Sequence, residues 1–433
     1  MRYYSTQDPS RTVDLKEAIL RSLPADNGLY LPERLPENVL SPALLAEWED
    51  DDFSEVCVKL ASFFFGDDVP AEALRDITTG AVNFPAPLTL LAPGDFILEL
   101  FHGPTLAFKD FGARFMARLM AWLVRGDDRE LTVLAATSGD TGGAVASAFH
   151  NVPGTRVIVL YPKGKVSPLQ EKQFTALGGN ITAVEVDGSF DDCQRMVKAA
   201  FLDRELSQQR NLTSANSINF ARLVPQTFYY VEAVRQLPPR VAPAFVVPSG
   251  NFGNLTAGLL AARMGLPVKK FIAATNANDV VPAYLKSGSY QPRPSVATLS
   301  NAMDVGAPSN FARLQAIFGG SWEAMRGMIE GDRISDDATR AAIRDVKVLY
   351  QYEIDPHGAV AWLAARRWRA ANPGHPTIAL ETAHPAKFLE AMEAELGQGK
   401  VEVPERLAVL AGREKVAVPM AADEAAFKEF LRG

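Results

Sequence analysis

The chain has 433 residues, 47% of them hydrophobic, and a formal net charge of −7. That length allows two or three domains with a large core, while the missing basic excess argues against nucleic acid as a partner. Two cysteines, Cys57 and Cys193, and no CxxC or HExxH pattern indicate a reducing compartment, the cytoplasm, with neither disulfides nor a metal site. The start, MRYYSTQDPS, is too polar for a signal peptide, and no apolar run of about 18 residues exists to span a membrane.

In chain order, residues 1–90 read as a separate, mostly helical unit. Apolar and acidic residues recur at helical spacing through 42–51 and 54–65, and prolines punctuate Phe84-Pro85-Ala86-Pro87. From about residue 95 short β-rich runs alternate with longer amphipathic ones. Segments 131–135, 156–161, 181–186, 244–247, 270–275 and 377–380 are the expected strands. That alternation predicts an α/β fold with mostly parallel sheets, and the remaining length leaves room for two such units.

The segment His102-Gly103-Pro104-Thr105-Leu106-Ala107-Phe108-Lys109-Asp110-Phe111-Gly112 sets a lysine at the start of an apolar helix. Phe108, Phe111, Phe115, Leu119 and Trp122 recur at helical spacing, so that stripe should face a core. Gly112 and Ala113 lie on the side of Lys109 and should leave room for something flat beside the amine. A desolvated lysine loses its proton readily and becomes the nucleophile needed for a Schiff base.

Three strand-to-helix turns could hold anions, since glycines present backbone N–H groups and the helix dipole favours negative charge. Thr137-Ser138-Gly139-Asp140-Thr141-Gly142-Gly143 reads either as a site for an amino-acid carboxylate or as a helix capped by Asp140 or Thr141. Its acid makes it the poorer phosphate site. Pro248-Ser249-Gly250-Asn251-Phe252-Gly253-Asn254 has no acid and suits a dianionic phosphate better, although a tight turn with a left-handed asparagine has the same composition. Glu381-Thr382-Ala383-His384-Pro385-Ala386-Lys387-Phe388 offers Thr382 as a ligand hydroxyl or as a helix cap, with His384 and Lys387 as structural or rim residues. Asn216-Ser217-Ile218-Asn219-Phe220-Ala221-Arg222 reads on its own as a surface salt-bridge arginine or as a second phosphate site. The stretch 288–313, rich in Pro, Ser and Asn, is expected to be a mobile loop near the site, and Tyr229 and Tyr230 to be core residues. His102 and His357 read as structural histidines or as residues near the cleft.

HGPTLAFKDFG, SGDTGGA, NSINFARLVPQ, SGNFGN, DPHGA and ETAHPAKF, with Tyr4-Ser5-Thr6 and Asp26-Asn27-Gly28-Leu29-Tyr30, together resemble the threonine synthase family of pyridoxal phosphate enzymes. The resemblance covers essentially the whole chain. It implies fold type II: two parallel-sheet α/β domains with pyridoxal 5′-phosphate in the cleft, plus the amino-terminal domain. On that reading 1–90 form the amino-terminal domain, 91–128 with 225–433 the large one, and 129–224 the small one. It implies Lys109 as the catalytic, cofactor-bearing lysine, Gly250, Asn251, Phe252, Gly253 and Asn254 as the cofactor-phosphate turn, and Thr382 at the pyridine nitrogen. Substrate would meet Thr137, Ser138, Asp140 and Thr141, with Asn216, Ser217 and Arg222 on its phosphate. Other subgroups carry proline where Phe220 stands here. The implied reaction takes O-phospho-L-homoserine and water to L-threonine and phosphate, in a cytoplasmic monomer or homodimer acting on a small molecule. The rival readings are another fold type II lyase, such as a threonine or serine dehydratase or a related phospho-lyase, and a non-catalytic phosphate-ligand-binding protein. A dehydratase needs no Arg222 group, and a binding protein needs no desolvated lysine.

Overall fold

The apolar runs expected as strands build two parallel sheets, as strands buried on both faces should. The computed structural model describes residues 1–127 and 129–433. One sheet runs, in spatial order, Ile329–Arg333, Lys270–Thr275, Ala244–Pro248, Thr377–Glu381, Asp95–Glu99 and Leu88–Ala92. Its neighbours are parallel except for Leu88–Ala92, which lies antiparallel on the edge. The other runs Val418–Ala421, Ile181–Asp187, Thr155–Pro162, Leu131–Ala136 and Asn211–Ser214, parallel throughout.

Alternating side chains feed different cores, because successive residues of a strand point to opposite faces. Phe245 and Val247 join the core shared by both sheets, while Ala244 and Val246 face a second core beneath Pro356–Ala371. Val157 and Val159 enter the shared core, and Ile158 and Leu160 enter a third. The helix Lys109–Leu123 runs through the shared core. Its Phe111, Phe115 and Leu119 are fully buried, while Phe108 and Trp122 are half-buried.

The expected, mostly helical character of residues 1–90 holds with a small sheet added, and the carboxyl-terminal tail departs from the sequence reading. The amino-terminal region holds helices at Pro42–Glu47, Phe53–Phe65 and Ala71–Ala81, but also an antiparallel sheet of Tyr3–Ser5, Thr12–Val13 and Tyr30–Pro32. These strands are two or three residues long, too short to show a period. At the other end, Val418–Ala421 pairs with Ile181–Asp187, and Phe427 and Leu431 join the core of Cys193 and Met196. The tail thus returns to the sheet of the region 129–224 instead of staying with 225–433. A four-residue strand containing Pro419 carries no sequence mark of its distant partner. The expected boundary at residue 128 falls on the one position outside the described residues.

Candidate active site

A cavity of about 430 Å³ opens where strands of both sheets end, at Ala136, Pro248 and Thr382. Carboxyl ends of parallel strands are where open α/β sheets bind ligands. Its wall includes Phe108 and Lys109, Ser138 and Thr141, Asn216, Ser217 and Arg222, and the turn Gly250 to Asn254. Segments far apart in sequence therefore meet in one cleft.

Lys109 begins its helix, and the preceding turn is pinned to the end of Thr377–Glu381. The Phe108 N–H donates to Thr382 O at 2.9 Å, the His384 N–H donates to Leu106 O at 3.0 Å, and Leu106 has a left-handed φ of 62°. A non-glycine residue there is uncommon and marks a constrained backbone. The amine lies 3.6 Å from Asp140 Oδ2 and 5.7 Å from the centre of the Phe108 ring. Burial pushes the Lys109 amine down to about 8; Asp140 pulls upward while Lys387 and Arg222 push further down. The pocket is thus more charged than its apolar neighbours in sequence suggested. Nor does Gly112 make room beside the amine. A Cβ there would meet Arg222 O at 2.7 Å, so this glycine lets the backbone around Arg222 pack against the lysine helix.

The turn after Leu131–Ala136 is locked from within. Thr137 Oγ1 accepts the N–H groups of Gly139 at 3.0 Å and Gly142 at 2.8 Å, and Gly139 takes a φ of 148°. Thr137 is fully buried and shapes the turn, and it lines the cavity together with Ser138 and Thr141. Asp140 is nearly buried and accepts from Gln170 Nε2 at 2.7 Å. Its second partner is Lys387, expected as a structural or rim residue; it is not at the rim but fully buried, with Nζ 2.7 Å from Asp140 Oδ1. Burial alone would raise the Asp140 carboxyl, but Lys387 and Lys109 hold it well below the usual carboxylate range.

The glycine-rich turn links Ala244–Pro248 to the helix Gly253–Arg263. Its left-handed residue is Phe252, φ 60°, and not an asparagine. A Cβ on Gly250 would meet Met303 Cα at 2.7 Å, so the turn closes against the segment 301–303. Asn254 is held by its carbonyl, with Oδ1 accepting from Tyr229 at 2.8 Å and Tyr230 at 2.7 Å. Its Nδ2 is buried without a partner among the described residues. A buried unpaired donor at a helix start beside a cavity calls for an anion. Asn251 is committed differently: its Nδ2 donates to Ser217 Oγ at 2.6 Å, and its Oδ1 accepts from Ser309 N at 2.6 Å.

Arg222 sits on the short helix Phe220–Leu223, nearly buried, with Nη1 donating to Ala215 O at 2.8 Å. Among the described residues its Nε and Asn216 Oδ1 have no partner, and no carboxylate lies within salt-bridge distance of its guanidinium. The surface salt-bridge alternative is therefore set aside. Burial lowers the guanidinium to about 10, so it remains a cation at neutral pH. Phe220 packs edge-on against Tyr3 at 5.5 Å and against Phe64 at 6.2 Å, anchoring this segment to the amino-terminal region.

Arg313 escaped the sequence reading, in which it ended a loop. It is fully buried on Phe311–Ile317, donating to Tyr30 O at 2.9 Å, Ile218 O at 2.6 Å, Ser217 O at 3.3 Å and Asn310 Oδ1 at 2.8 Å. It ties the amino-terminal sheet to the Asn216–Arg222 segment. Nothing in NFARLQ distinguishes it from a surface arginine. Arg313→Met should lower stability by roughly 2–4 kcal/mol, because three carbonyls lose a buried charged donor. Urea unfolding midpoints measure this directly. His357 is a holding residue too. Its Nδ1 meets Asp355 Oδ1 at 2.6 Å, and its Nε2 accepts from Ala302 N at 3.1 Å, fixing the segment against the glycine turn. His102 pairs with Glu99 at 2.7 Å, away from the cavity lining. From the stretch 288–313, Arg293 to Ser295, Asn301 to Ala307 and Ser309 line the cavity.

A largely desolvated lysine, an acid-free glycine turn with an idle amide donor, and a strand-end hydroxyl in one cleft between two parallel sheets define a pyridoxal-phosphate-dependent enzyme of fold type II. Residues 96–379 match the family described as Pyridoxal-phosphate dependent enzyme. Residues 2–82 match Threonine synthase N terminus, and 358–431 match Threonine synthase, C-terminal. The chain is 46% identical to threonine synthase of Escherichia coli strain K12, over 100% of this chain and 99% of that one. The crystal structure of the Escherichia coli threonine synthase matches with a TM-score of 0.93 at 45% identity, covering 100% and 99% of the two chains. The structure of pyridoxal-phosphate-bound threonine synthase from Brucella melitensis matches at 0.92 and 35% identity, with the same coverage. The chain belongs to the threonine synthase family.

Proposed function

We propose that the chain converts O-phospho-L-homoserine and water into L-threonine and phosphate, with pyridoxal 5′-phosphate in the cleft between its sheets. The observation that carries this reading is two separate anion cradles in one cavity. The turn Gly250 to Asn254 offers Asn254 Nδ2 and helix N–H groups to the phosphate of the cofactor. Arg222, with Asn216 and Ser217, offers an uncompensated cation to a second phosphate, that of the substrate. A dehydratase has no use for the second cradle, and a mere phosphate-binding protein has no use for Lys109.

The cofactor supplies an electron sink for charge developing at the substrate carbons. Thr382, at the cavity wall, would offer a neutral hydroxyl to its ring nitrogen and would leave that nitrogen largely unprotonated. Ser138 and Thr141, with the N–H groups of their turn, hold the substrate carboxylate. Asp140 organises the amines around it. Lys109 Nζ takes protons from the substrate Cα and Cβ and returns them at Cγ, which becomes the methyl group, and at Cα. Arg222, Asn216 and Ser217 fix the ester so that its Cγ–O bond breaks with the electron pair leaving on phosphate. Water then adds its oxygen at Cβ.

Asn254→Asp should release the cofactor, because it sets a like charge beside a dianion; a lost hydrogen bond to a charged group costs roughly 1.5–3 kcal/mol. Equilibrium dialysis checks it. Asn251→Ala should weaken both cradles, since Asn251 joins Ser217 to the glycine turn. Phosphate and threonine released in equal amounts from O-phosphohomoserine test the function itself. Faster ammonia release from serine or threonine than phosphate release from O-phosphohomoserine would favour the dehydratase.

The same reading places the protein in the cytoplasm as a monomer or homodimer, without nucleic acid or membrane. Cys57 and Cys193 are both free and buried, in keeping with a reducing compartment. Among the described residues no helix is long and apolar enough to cross a membrane.

A further inference from the structure

We infer that Lys387 is a positioning residue for the cofactor amine: by occupying Asp140 with its own charge, it prevents Asp140 from holding Lys109 as an ammonium. The inference rests on the reading of Lys109 as the cofactor lysine.

Asp140 is one carboxylate between the fully buried Lys387 and Lys109, which is largely enclosed at the cavity wall. Its Oδ1 takes Lys387 Nζ at 2.7 Å and Gln170 Nε2 at 2.7 Å, both within hydrogen-bond distance. Its Oδ2 faces Lys109 Nζ at 3.6 Å, beyond one. Lys387 is locked in place. Its Nζ also donates to Thr105 O at 2.8 Å, its own carbonyl accepts from Ser167 Oγ at 3.1 Å, and the adjoining turn is capped by His384 Nδ1 accepting from Ala386 N at 3.1 Å. A buried charge is stable only when paired, and one carboxylate cannot neutralise two ammonium groups. Lys387 makes the closer contact with that carboxylate. The looser one, Lys109, gives its proton up and becomes the free amine that a carbonyl carbon can accept.

The surrounding charges agree. Lys109 is faced by Asp140 from its own turn, Lys387 from the Pro385–Phe388 turn, and Arg222 from Phe220–Leu223. Asp140 is faced by Lys387, Lys109 and His357. Asp110, bonded to Thr105 through its N–H at 2.8 Å and Oγ1 at 2.6 Å, is a further carboxyl facing Lys387. Remove the Lys387 charge, and Asp140 has Lys109 as its sole lysine partner.

The test is the pH dependence of acetylation of Lys109 by acetic anhydride in the full-length protein freed of cofactor, followed by peptide mapping. The wild-type midpoint should lie near pH 8. Lys387→Gln keeps a donor for Asp140 and Thr105 but removes the charge. It should raise the midpoint by roughly one pH unit, so that Lys109 labels about tenfold more slowly below it. Lys387→Arg keeps the charge and should follow wild type. A structural role predicts the reverse order, with glutamine harmless and the larger arginine disruptive. Asp140→Asn is an independent arm that needs no change at Lys387: the Lys109 midpoint should fall, because the carboxylate opposing deprotonation is gone. A wild-type midpoint in Lys387→Gln, or no fall in Asp140→Asn, overturns the proposal. Borohydride reduction of the holoenzyme separates the two failures. A pyridoxyl group mapped away from Lys109 sinks the cofactor-lysine reading, whereas one on Lys109 with unmoved midpoints sinks only the role of Lys387.

Discussion

Lys109→Ala should retain cofactor weakly and turn over O-phosphohomoserine at least roughly a thousandfold more slowly than wild type. The residual binding comes from Asn254 Nδ2 and the N–H groups of Gly253–Arg263, which the substitution does not touch. The loss of turnover comes from the amine, which serves both as covalent attachment and as the base at Cα and Cβ. Lys387 cannot substitute for it, because its Nζ is held by Asp140 and Thr105. The check is phosphate release in a stopped assay, set beside the cofactor retained after dialysis. A variant that lost its cofactor entirely would place more of the binding in the covalent bond than in the glycine turn.

Arg222→Ala should bind cofactor with its usual absorption and lose roughly 2–4 kcal/mol in kcat/KM for O-phosphohomoserine. The magnitude follows from burial: the guanidinium is nearly inaccessible and, among the described residues, has no carboxylate partner and leaves Nε unpaired. An arginine in that state gains its full interaction only when an anion arrives. Slow elimination from serine or threonine, which carry no phosphate, should hardly change. Equal loss on both kinds of substrate, or loss of cofactor, would assign Arg222 to the cofactor or the fold and strengthen the dehydratase reading. Because Gly112 abuts the Arg222 backbone, circular dichroism belongs beside the kinetics.

What the sequence disclosed was local. Strands at 131–136, 244–248 and 377–381 showed as apolar runs, and the turns after them as glycine clusters, because backbone geometry at such places demands particular residues. Arg222 alone looked like any surface arginine, and the family resemblance supplied its partners. What stayed hidden was pairing between distant segments. Asp140 and Lys387 are far apart in the chain, and a lysine after His384-Pro385-Ala386 carries no mark of being fully buried. Arg313 needed Tyr30, Ser217 and Ile218 around it before its role could be seen. The commitment of Asn251 to Ser217, which couples the two cradles, is also a contact between separate segments. The tail strand Val418–Ala421 was hidden because four residues show no decisive period.

Borohydride reduction of the purified holoenzyme, followed by peptide mapping of the pyridoxyl group, tests the central claim most directly. Two lysines flank Asp140, one at the cavity wall and one fully buried, so the measurement has a real choice to make. The geometry of the cavity, its glycine turn and the loosely held amine predict the label on the peptide containing Lys109. A label on Lys387, or on Lys163 outside the cavity lining, would contradict the account.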